Sequence, residues 1–184
     1  MYAATSTRPD IAFAVATLSQ FMRNPGTTHW EACKRVMRYL KGTADFALTL
    51  GSSDGGLEAY VDADWASQPH RHSMSGYVVL LNGGPVAWSA RKQSLIALST
   101  AEAEYIALTT FHSRTKHIDL RFHFVRSHIK NGTFDLKYCP TDDNLADAFT
   151  KALARPRLQR LRTLMSVDSA RGGVSDAEER DAEE

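Results

Sequence analysis

The stretch from Leu57 to Glu104 constrains the fold more than any other part of this sequence. It opens with Leu57 to Asp62, in which apolar and polar residues alternate as in a half-buried strand. Two more strand-like runs, Tyr77 to Leu81 and Pro85 to Ala90, are joined by Asn82-Gly83-Gly84, whose glycines can supply the positive φ of a tight hairpin. The stretch therefore predicts a three-stranded meander.

A predicted helix start follows the meander and carries a second acidic residue of interest. Leu98 to Glu104 reads as the first turns of a helix, with Glu102 near its N-terminus, while Asp62 closes the first predicted strand. This order can bring two acids together, and hard divalent cations prefer such oxygen ligands. Ser99 to Glu102 is also a capping box, and a capping role needs no metal ion.

Length and composition favour one globular domain with a helical extension. The chain has 184 residues, of which 43% are hydrophobic, enough for one core. No apolar run approaches the ~18 residues of a membrane span, and the N-terminus lacks a signal-peptide pattern, so we expect an intracellular protein with no membrane partner and leave the compartment open. Cys33 and Cys139 lie far apart and are expected to be ordinary thiols.

The near-neutral formal charge of +1 hides a strong asymmetry along the chain. Residues 166–184 contain seven acidic and two basic side chains and almost no large apolar residue, so we expect an acidic disordered tail. The preceding residues carry the compensating positive charge and all seven histidines. Such a basic body is suited to a polyanionic partner, although a merely soluble surface explains it equally well.

The first fifty residues predict a helical hairpin. Thr7 to Asp10 reads as a helix start with Pro9 near the first helical position, and a second helix is predicted from a Thr28 to Glu31 capping box to Gly42. The outer face of that second helix is basic, with Lys34, Arg35, Arg38 and Lys41. This face is either solvated or a nucleic-acid contact.

The remaining segments alternate between strand and helix signals. Phe46 to Leu50 and Phe134 to Tyr138 have strand patterns, and His112 to Lys130 has apolar residues at helical spacing. A last helix is predicted after Pro140-Thr141 with Leu145 and Phe149 facing inward, and Arg155 starts a short basic segment.

Several motifs occur along the chain in one order. They are Tyr60-Val61-Asp62-Ala63-Asp64-Trp65-Ala66, Ser75-Gly76-Tyr77, Ala87-Trp88-Ser89, Leu98-Ser99-Thr100-Ala101-Glu102-Ala103-Glu104-Tyr105, His112-Ser113-Arg114-Thr115-Lys116-His117-Ile118-Asp119 and Leu145-Ala146-Asp147. Together they resemble the ribonuclease H region of a copia-type (LTR) retrotransposon Pol polyprotein. Thr7-Arg8-Pro9-Asp10-Ile11, His29-Trp30 and Arg38-Tyr39-Leu40-Lys41-Gly42 resemble the segment that joins the reverse transcriptase to that region.

The resemblance implies an α/β fold and a division of the chain. It implies a mixed ribonuclease H-like sheet with helices in residues 57–154, preceded by a connecting helical hairpin in residues 1–50. A basic segment, 155–165, and the acidic tail, 166–184, would follow. The polymerase's own catalytic aspartates have no counterpart here.

The resemblance also implies a reaction and its metal ions. In that family four acids hold two Mg²⁺ (or Mn²⁺) ions that cut the RNA strand of an RNA–DNA hybrid, the two-metal logic of phosphoryl displacement. Asp62, Glu102 and Asp147 match three of those acids, as catalytic residues and as metal ligands. The fourth acid and its strand would fall between Thr110 and Phe111, where several tens of residues are missing. The chain is therefore expected to be an inactive hydrolase, and the rest of the polyprotein would be its partner in an intact element.

Other interpretations remain open beside this one. Asp147 and Lys151 stand at i, i+4 and can form a plain helix ion pair. A dehalogenase-type assignment of Asp62 and Asp64 would require Thr at Ala66. The chain could instead be a non-catalytic nucleic-acid-binding remnant or the functionless product of a decayed element. The nucleic-acid contacts are expected from Arg114, Lys116, Arg121 and Arg126.

Overall fold

The computed structural model describes residues 1–51, 54, 56–110, 131–132, 135 and 137–170. These residues form two antiparallel sheets with helices, a mixed α/β architecture. The α-helices are α1 Tyr2–Ser6, α2 Ala12–Ser19, α3 Thr27–Gly42, α4 Thr100–Thr110 and α5 Arg155–Leu164, and 3₁₀ helices lie at Pro9–Ile11, Pro69–Arg71 and Leu145–Phe149. The strands are β1 Phe46–Leu48, β2 Leu57–Asp64, β3 Met74–Leu81, β4 Gly84–Lys92 and β5 Val167–Ser169.

The central sheet is the predicted meander in the order β2-β3-β4. Strand β2 pairs with β3 from Leu57 opposite Leu81 to Asp64 opposite Met74. The β3–β4 turn has φ of 49° at Asn82 and 78° at Gly83, as a two-residue hairpin loop of type I′ requires. The prediction of three strands and a glycine-assisted hairpin is confirmed.

The two faces of this sheet are covered by different parts of the chain. On one face Ala63 of β2 packs against Ala103 and Ile106 of α4. On the other face the main core collects side chains from the whole chain: Ala12, Val78, Leu80, Leu145, Ala148, Phe149, Leu161, Met165 and Val167. This core crosses the boundaries that the sequence suggested near residues 50 and 155.

The N-terminal hairpin forms, but its second helix starts differently from the prediction. Helix α3 is preceded by Gly26 as N-cap, and Nδ1 of His29 accepts a hydrogen bond of 2.9 Å from the Gly26 N–H. The predicted capping box between Thr28 and Glu31 was therefore wrong, because the box forms two residues earlier, between Gly26 and the His29 imidazole.

A buried ion pair ties the start of the chain to the end of α3. Both nitrogens of the Arg8 fork bind Asp10, Nε to Oδ1 at 3.0 Å and Nη2 to Oδ2 at 2.8 Å. The Tyr39 hydroxyl donates to the same Oδ2 at 2.7 Å, and the Asp10 side chain has no accessible surface. The Thr-Arg-Pro-Asp motif thus has a structural role in this chain, since a buried charge needs such partners.

The C-terminal segment is ordered further than its composition predicted. Helix α5 buries Leu161 completely, and Met165 and Val167 that follow it are also fully buried. Strand β5 then pairs antiparallel with β1, with Val167 opposite Leu48. The prediction of a disordered tail from residue 166 is wrong for β5, because three buried apolar side chains precede the strongly acidic part.

A cation and an anion stabilise this C-terminal pairing. The Arg162 guanidinium lies 4.1 Å from the centre of the Phe46 ring, and its Nε donates to the Val167 carbonyl at 3.1 Å. The Ser169 N–H and the Thr163 hydroxyl donate to the Asp168 carboxylate, and these hydrogen bonds lower the pKa of Asp168.

Two predicted elements cannot be followed throughout. The helix expected from His112 to Lys130 lies outside the described residues. Of the strand expected from Phe134 to Tyr138, the described residues are Asp135, Lys137 and Tyr138, and none of them lies in a strand. In the described part of the chain, β2 has a neighbouring strand on one side only. No helix there is long and apolar enough to cross a membrane.

Candidate active site

The candidate site lies where the 3₁₀ helix Leu145–Phe149 crosses the sheet beside Asp62. Strand β2 places Asp62 opposite Gly76 of β3. Because Ala63 faces α4, the alternation of the strand turns the Asp62 side chain to the opposite face, toward the 145–149 helix. All five residues of this helix are buried.

Asn144 fixes the start of the 145–149 helix on β2. Its side-chain nitrogen donates to the Val61 carbonyl at 3.0 Å, while its side-chain oxygen accepts from the Ala146 N–H at 3.0 Å. Asn144 is therefore the N-cap of the helix and its anchor to the sheet at once. Asparagine is among the best N-cap residues, so this part of its role was readable from the sequence.

A glycine allows the helix to approach the sheet closely. A Cβ placed on Gly76 would lie 2.7 Å from Cβ of Phe149, 2.8 Å from Cγ2 of Thr150 and 3.0 Å from the Ala146 carbonyl oxygen. Any side chain at this position would therefore push the helix away from β3. The absence of a Cβ at Gly76 sets the spacing between the strand that pairs with Asp62 and the helix that carries Asp147.

The structure brings Asp62 and Asp147 to the same place. The Thr150 hydroxyl, at the end of the 145–149 helix, donates to Oδ2 of Asp62. Asp147 lies one turn earlier on that helix and is close enough for the Asp62 charge to raise its pKa. Two of the three predicted acids are thus neighbours, as the resemblance implied.

Asp147 is completely buried and is bound by two cations. Nζ of Lys151 lies 2.8 Å from Oδ1 of Asp147, in the i, i+4 ion pair that the sequence offered as an alternative. Arg157 of α5 donates to Oδ2 of the same carboxylate. Both carboxylate oxygens therefore have a basic partner within the chain.

Burial dominates the electrostatics of this carboxylate. It raises the pKa of Asp147, and the Asp62 charge acts in the same direction, while Lys151 and Arg157 oppose both effects. A buried carboxylate with this balance depends on its cationic partners to remain ionised.

Glu102 is engaged elsewhere. Its carboxylate oxygen Oε2 accepts a hydrogen bond of 2.7 Å from the Leu98 N–H, and its own N–H donates to the Ser99 hydroxyl at 3.1 Å. This is the reciprocal arrangement of a capping box, with the carboxylate reaching one residue beyond the N-cap. The capping alternative for Glu102 is confirmed.

The residues present do not fit a two-metal site. Among the described residues no group of three or more Asp, Glu, His or Cys side chains is placed to hold a metal ion. Asp62, Glu102 and Asp147 thus do not converge as the prediction required, because Glu102 caps α4 and Asp147 already binds Lys151 and Arg157. The predicted nucleic-acid contacts Arg114, Lys116, Arg121 and Arg126 lie outside the described residues.

Three residues that shape the site were missed in the sequence. Gly76 was noted only within the Ser75-Gly76-Tyr77 motif and Thr150 not at all, because their roles depend on the packing of the 145–149 helix against β3 and β2. Arg157 was counted only as part of a basic segment, since its pairing with a residue ten positions earlier depends on where α5 folds back.

The chain is similar to proteins encoded by transposons. It is 35% identical to the retrovirus-related Pol polyprotein from transposon TNT 1-94 of Nicotiana tabacum over 92% of this chain and 16% of that protein. It is 35% identical to the corresponding protein of transposon RE2 of Arabidopsis thaliana over 91% of this chain and 15% of that protein. The chain therefore spans less than a fifth of the length of these curated relatives.

A shorter relative covers one part of the chain. The secreted RxLR effector protein 161 of Plasmopara viticola is 49% identical over 59% of this chain and 78% of its own length. No protein-family model and no solved structure matches the chain.

The alignment with the Nicotiana protein is longer than the part of this chain that it includes. The alignment with the Nicotiana protein runs over 209 positions, although only 92% of the 184-residue chain, about 169 residues, takes part in it. The relative therefore carries about 40 residues that have no counterpart in this chain.

Proposed function

We propose that this chain, which belongs to the retrovirus-related Pol polyproteins of transposons, is the copia-type ribonuclease H end of such a polyprotein and no longer cleaves RNA. The proposal rests on the different positions of the three predicted acids. Asp62 and Asp147 meet across β2 and the 145–149 helix, as the resemblance implies, while Glu102 caps a helix.

Two neighbouring carboxylates are insufficient for this chemistry. In ribonucleases H the metal ions activate the attacking water and stabilise the leaving oxygen. The positive charge of two such ions needs several carboxylate ligands, and here only the Asp62 carboxylate lacks a basic partner among the described residues of the site. The chain's own residues thus form a packed and ion-paired remnant of the reaction centre.

The missing residues belong to the same proposal. We place the roughly 40 residues that the Nicotiana relative carries in addition between Thr110, the last residue of α4, and Phe111. They would contain the strand that the resemblance implies beside β2, together with its acid. This placement agrees with the single strand neighbour of β2 in the described part of the chain.

The proposal is tested by returning that segment to the chain. A version with the extra residues of the Nicotiana relative inserted between Thr110 and Phe111 should cleave the RNA strand of a labelled RNA–DNA hybrid with Mg²⁺ or Mn²⁺, because the returned acid lets the metal ions compete with Lys151 and Arg157 for Asp147. The same version with Asp62→Asn is the control, because it keeps the shape and removes the charge. Absence of cleavage by a cooperatively folded insertion variant would contradict the placement of the segment.

Binding of nucleic acid without cleavage is a second candidate function. On α3, Arg35, Arg38 and Lys41 make no ion pair with any described residue. Three of the four arginines of α5 differ, because each is paired with an aspartate: Arg157, Arg160 and Arg162. Helix α3 thus carries three unpaired cations on one element, where a phosphate backbone could contact them together, whereas the other unpaired cations of the described residues are spread over several elements: Arg23, Arg71, Arg91, Lys92 and Arg155.

This second candidate predicts weak, sequence-independent binding of an RNA–DNA hybrid. Binding should weaken by orders of magnitude between ~50 and ~200 mM salt, because phosphate contacts release counterions. Replacing Arg35, Arg38 and Lys41 together by glutamine should reduce both affinity and salt dependence, whereas Arg160→Gln should change them little. Salt-independent binding, or equal loss in both variants, would argue against α3 as the contact.

A further inference from the structure

The cations around Asp147 come from two separate elements, and one of them is held from several sides. Lys151 follows the 145–149 helix directly, so its ion pair is local. Arg157 comes from the first turn of α5 and contacts three acceptors: Asp147, the Thr141 carbonyl oxygen, and Oδ1 of Asp142 at 3.0 Å. Its side chain keeps 30% of its accessible surface, while that of Asp147 has none.

Both cations of the site bind the same carboxylate. Lys151 and Arg157 each pair with Asp147, Arg157 also pairs with Asp142, and Asp62 accepts a hydrogen bond from the Thr150 hydroxyl. The Arg157 fork occupies the oxygen of Asp147 that Lys151 leaves free. The guanidinium binds Asp147 through Nη2 and Asp142 through Nη1, so each oxygen of Asp147 has one basic partner within the chain.

We infer that Arg157 closes the Asp62–Asp147 pair to external cations, with Lys151 completing the internal neutralisation. This goes beyond the loss of catalysis proposed above. Loss of an acid alone would leave an open and weak cation site, whereas the ion pairs also make the Asp147 carboxylate unavailable. The Lys151 and Arg157 side chains thus occupy the position beside Asp147 that a divalent cation would take.

Physical chemistry gives the inference a measurable consequence. In Arg157→Gln, Oδ2 of Asp147 loses its basic partner, while Lys151 still pairs with Oδ1. The two carboxylates Asp62 and Asp147 then share one cation, and this excess negative charge favours the binding of another cation. In Arg157→Gln, the removed guanidinium leaves space next to Asp147 and the Asp62 carboxylate lies nearby. Both favour a divalent cation, which binds oxygen ligands while retaining some of its water.

The test is Mn²⁺ binding, followed by the electron paramagnetic resonance signal of the free ion at neutral pH. The unaltered chain and the control variant Arg160→Gln, which loses an exposed ion pair with Asp143, should bind no ion at this site. Arg157→Gln should bind one ion with a Kd on the order of 10⁻³ M. The added substitution Asp147→Asn should abolish that binding.

Two outcomes overturn the inference. One is binding of Mn²⁺ by the unaltered chain as tight as that of Arg157→Gln. The other is a cooperatively folded Arg157→Gln variant that acquires no ion. If the variant does not fold, the unaltered chain decides the question, because a saturable rise of its melting temperature with Mn²⁺ that Asp147→Asn removes would show that the site is open. Neither Mn²⁺ binding nor the melting temperature depends on hydrolysis, so the result is independent of the loss of cleavage proposed above.

Discussion

Gly76→Ala should be among the most damaging single-methyl additions in this chain. The new Cβ would lie within 3.0 Å of three atoms, from Phe149, Thr150 and Ala146, where ordinary contacts begin at 3.4 Å. Strand β3 cannot yield, because it is hydrogen-bonded to β2 and β4 on both sides. The 145–149 helix must therefore shift by roughly 1 Å, and the fully buried Phe149 side chain must shift with it.

The size of the effect follows from the packing. Overpacking a well-filled core typically costs about 1–3 kcal/mol, and the backbone carbonyl of Ala146 among the blocking atoms places Gly76→Ala at the upper end. For a chain of this size each kcal/mol lowers the melting temperature by roughly 2–4 °C, so we expect a fall of roughly 6–12 °C. The shift should also weaken the Thr150–Asp62 hydrogen bond.

Thermal unfolding followed by circular dichroism measures this effect. The matched control is Gly42→Ala at the end of α3, where a Cβ would meet nothing within 4 Å. Alanine is favoured over glycine in helices by roughly 0.5–1 kcal/mol, so the control should melt at the same temperature or slightly higher. If Gly76→Ala melted like Gly42→Ala, the close approach of the 145–149 helix to β3 would be refuted.

Three further substitutions test other parts of the account. Asp10→Asn should cost about 3–5 kcal/mol in chemical denaturation, because it leaves the buried Arg8 charge without its partner. Asn144→Ala should cost about 1–2 kcal/mol through the lost N-cap and the lost bond to Val61, and an unchanged denaturation midpoint would contradict that anchoring role. The lowered pKa of Asp168 means that its contribution to stability is present above its ordinary pKa of about 4 and is lost as the pH falls through the lower folded value. Asp168→Asn should therefore flatten the acid side of the melting temperature against pH, and parallel curves for both proteins would contradict it.

The local parts of the fold were predictable from the sequence because their signals lie within a few residues. Alternation predicted β2, short strand-like runs predicted β3 and β4, Asn82-Gly83 predicted the hairpin, and Ser99 with Glu102 predicted the capping box. The start of α3 was mispredicted because an imidazole capped it in competition with the expected box.

The tertiary parts could not be read in the same way. Strand β5 was hidden by the acidic composition that follows it, and its pairing with β1 joins residues far apart in sequence. The proximity of Asp62 and Asp147 was expected only through the resemblance. The ion pair of Arg157 with Asp147 depends on how α5 folds back, and nothing in the local sequence reports that.

The central claim is that the remaining carboxylates of this chain do not form a working nuclease centre. The most direct measurement is single-turnover cleavage of a 5′-labelled RNA–DNA hybrid by excess unaltered chain, with Mg²⁺ and with Mn²⁺, beside the Asp62→Asn variant. We predict that the unaltered chain and Asp62→Asn give the same background of RNA fragments. Metal-dependent cleavage by the unaltered chain that EDTA stops and Asp62→Asn abolishes would contradict it.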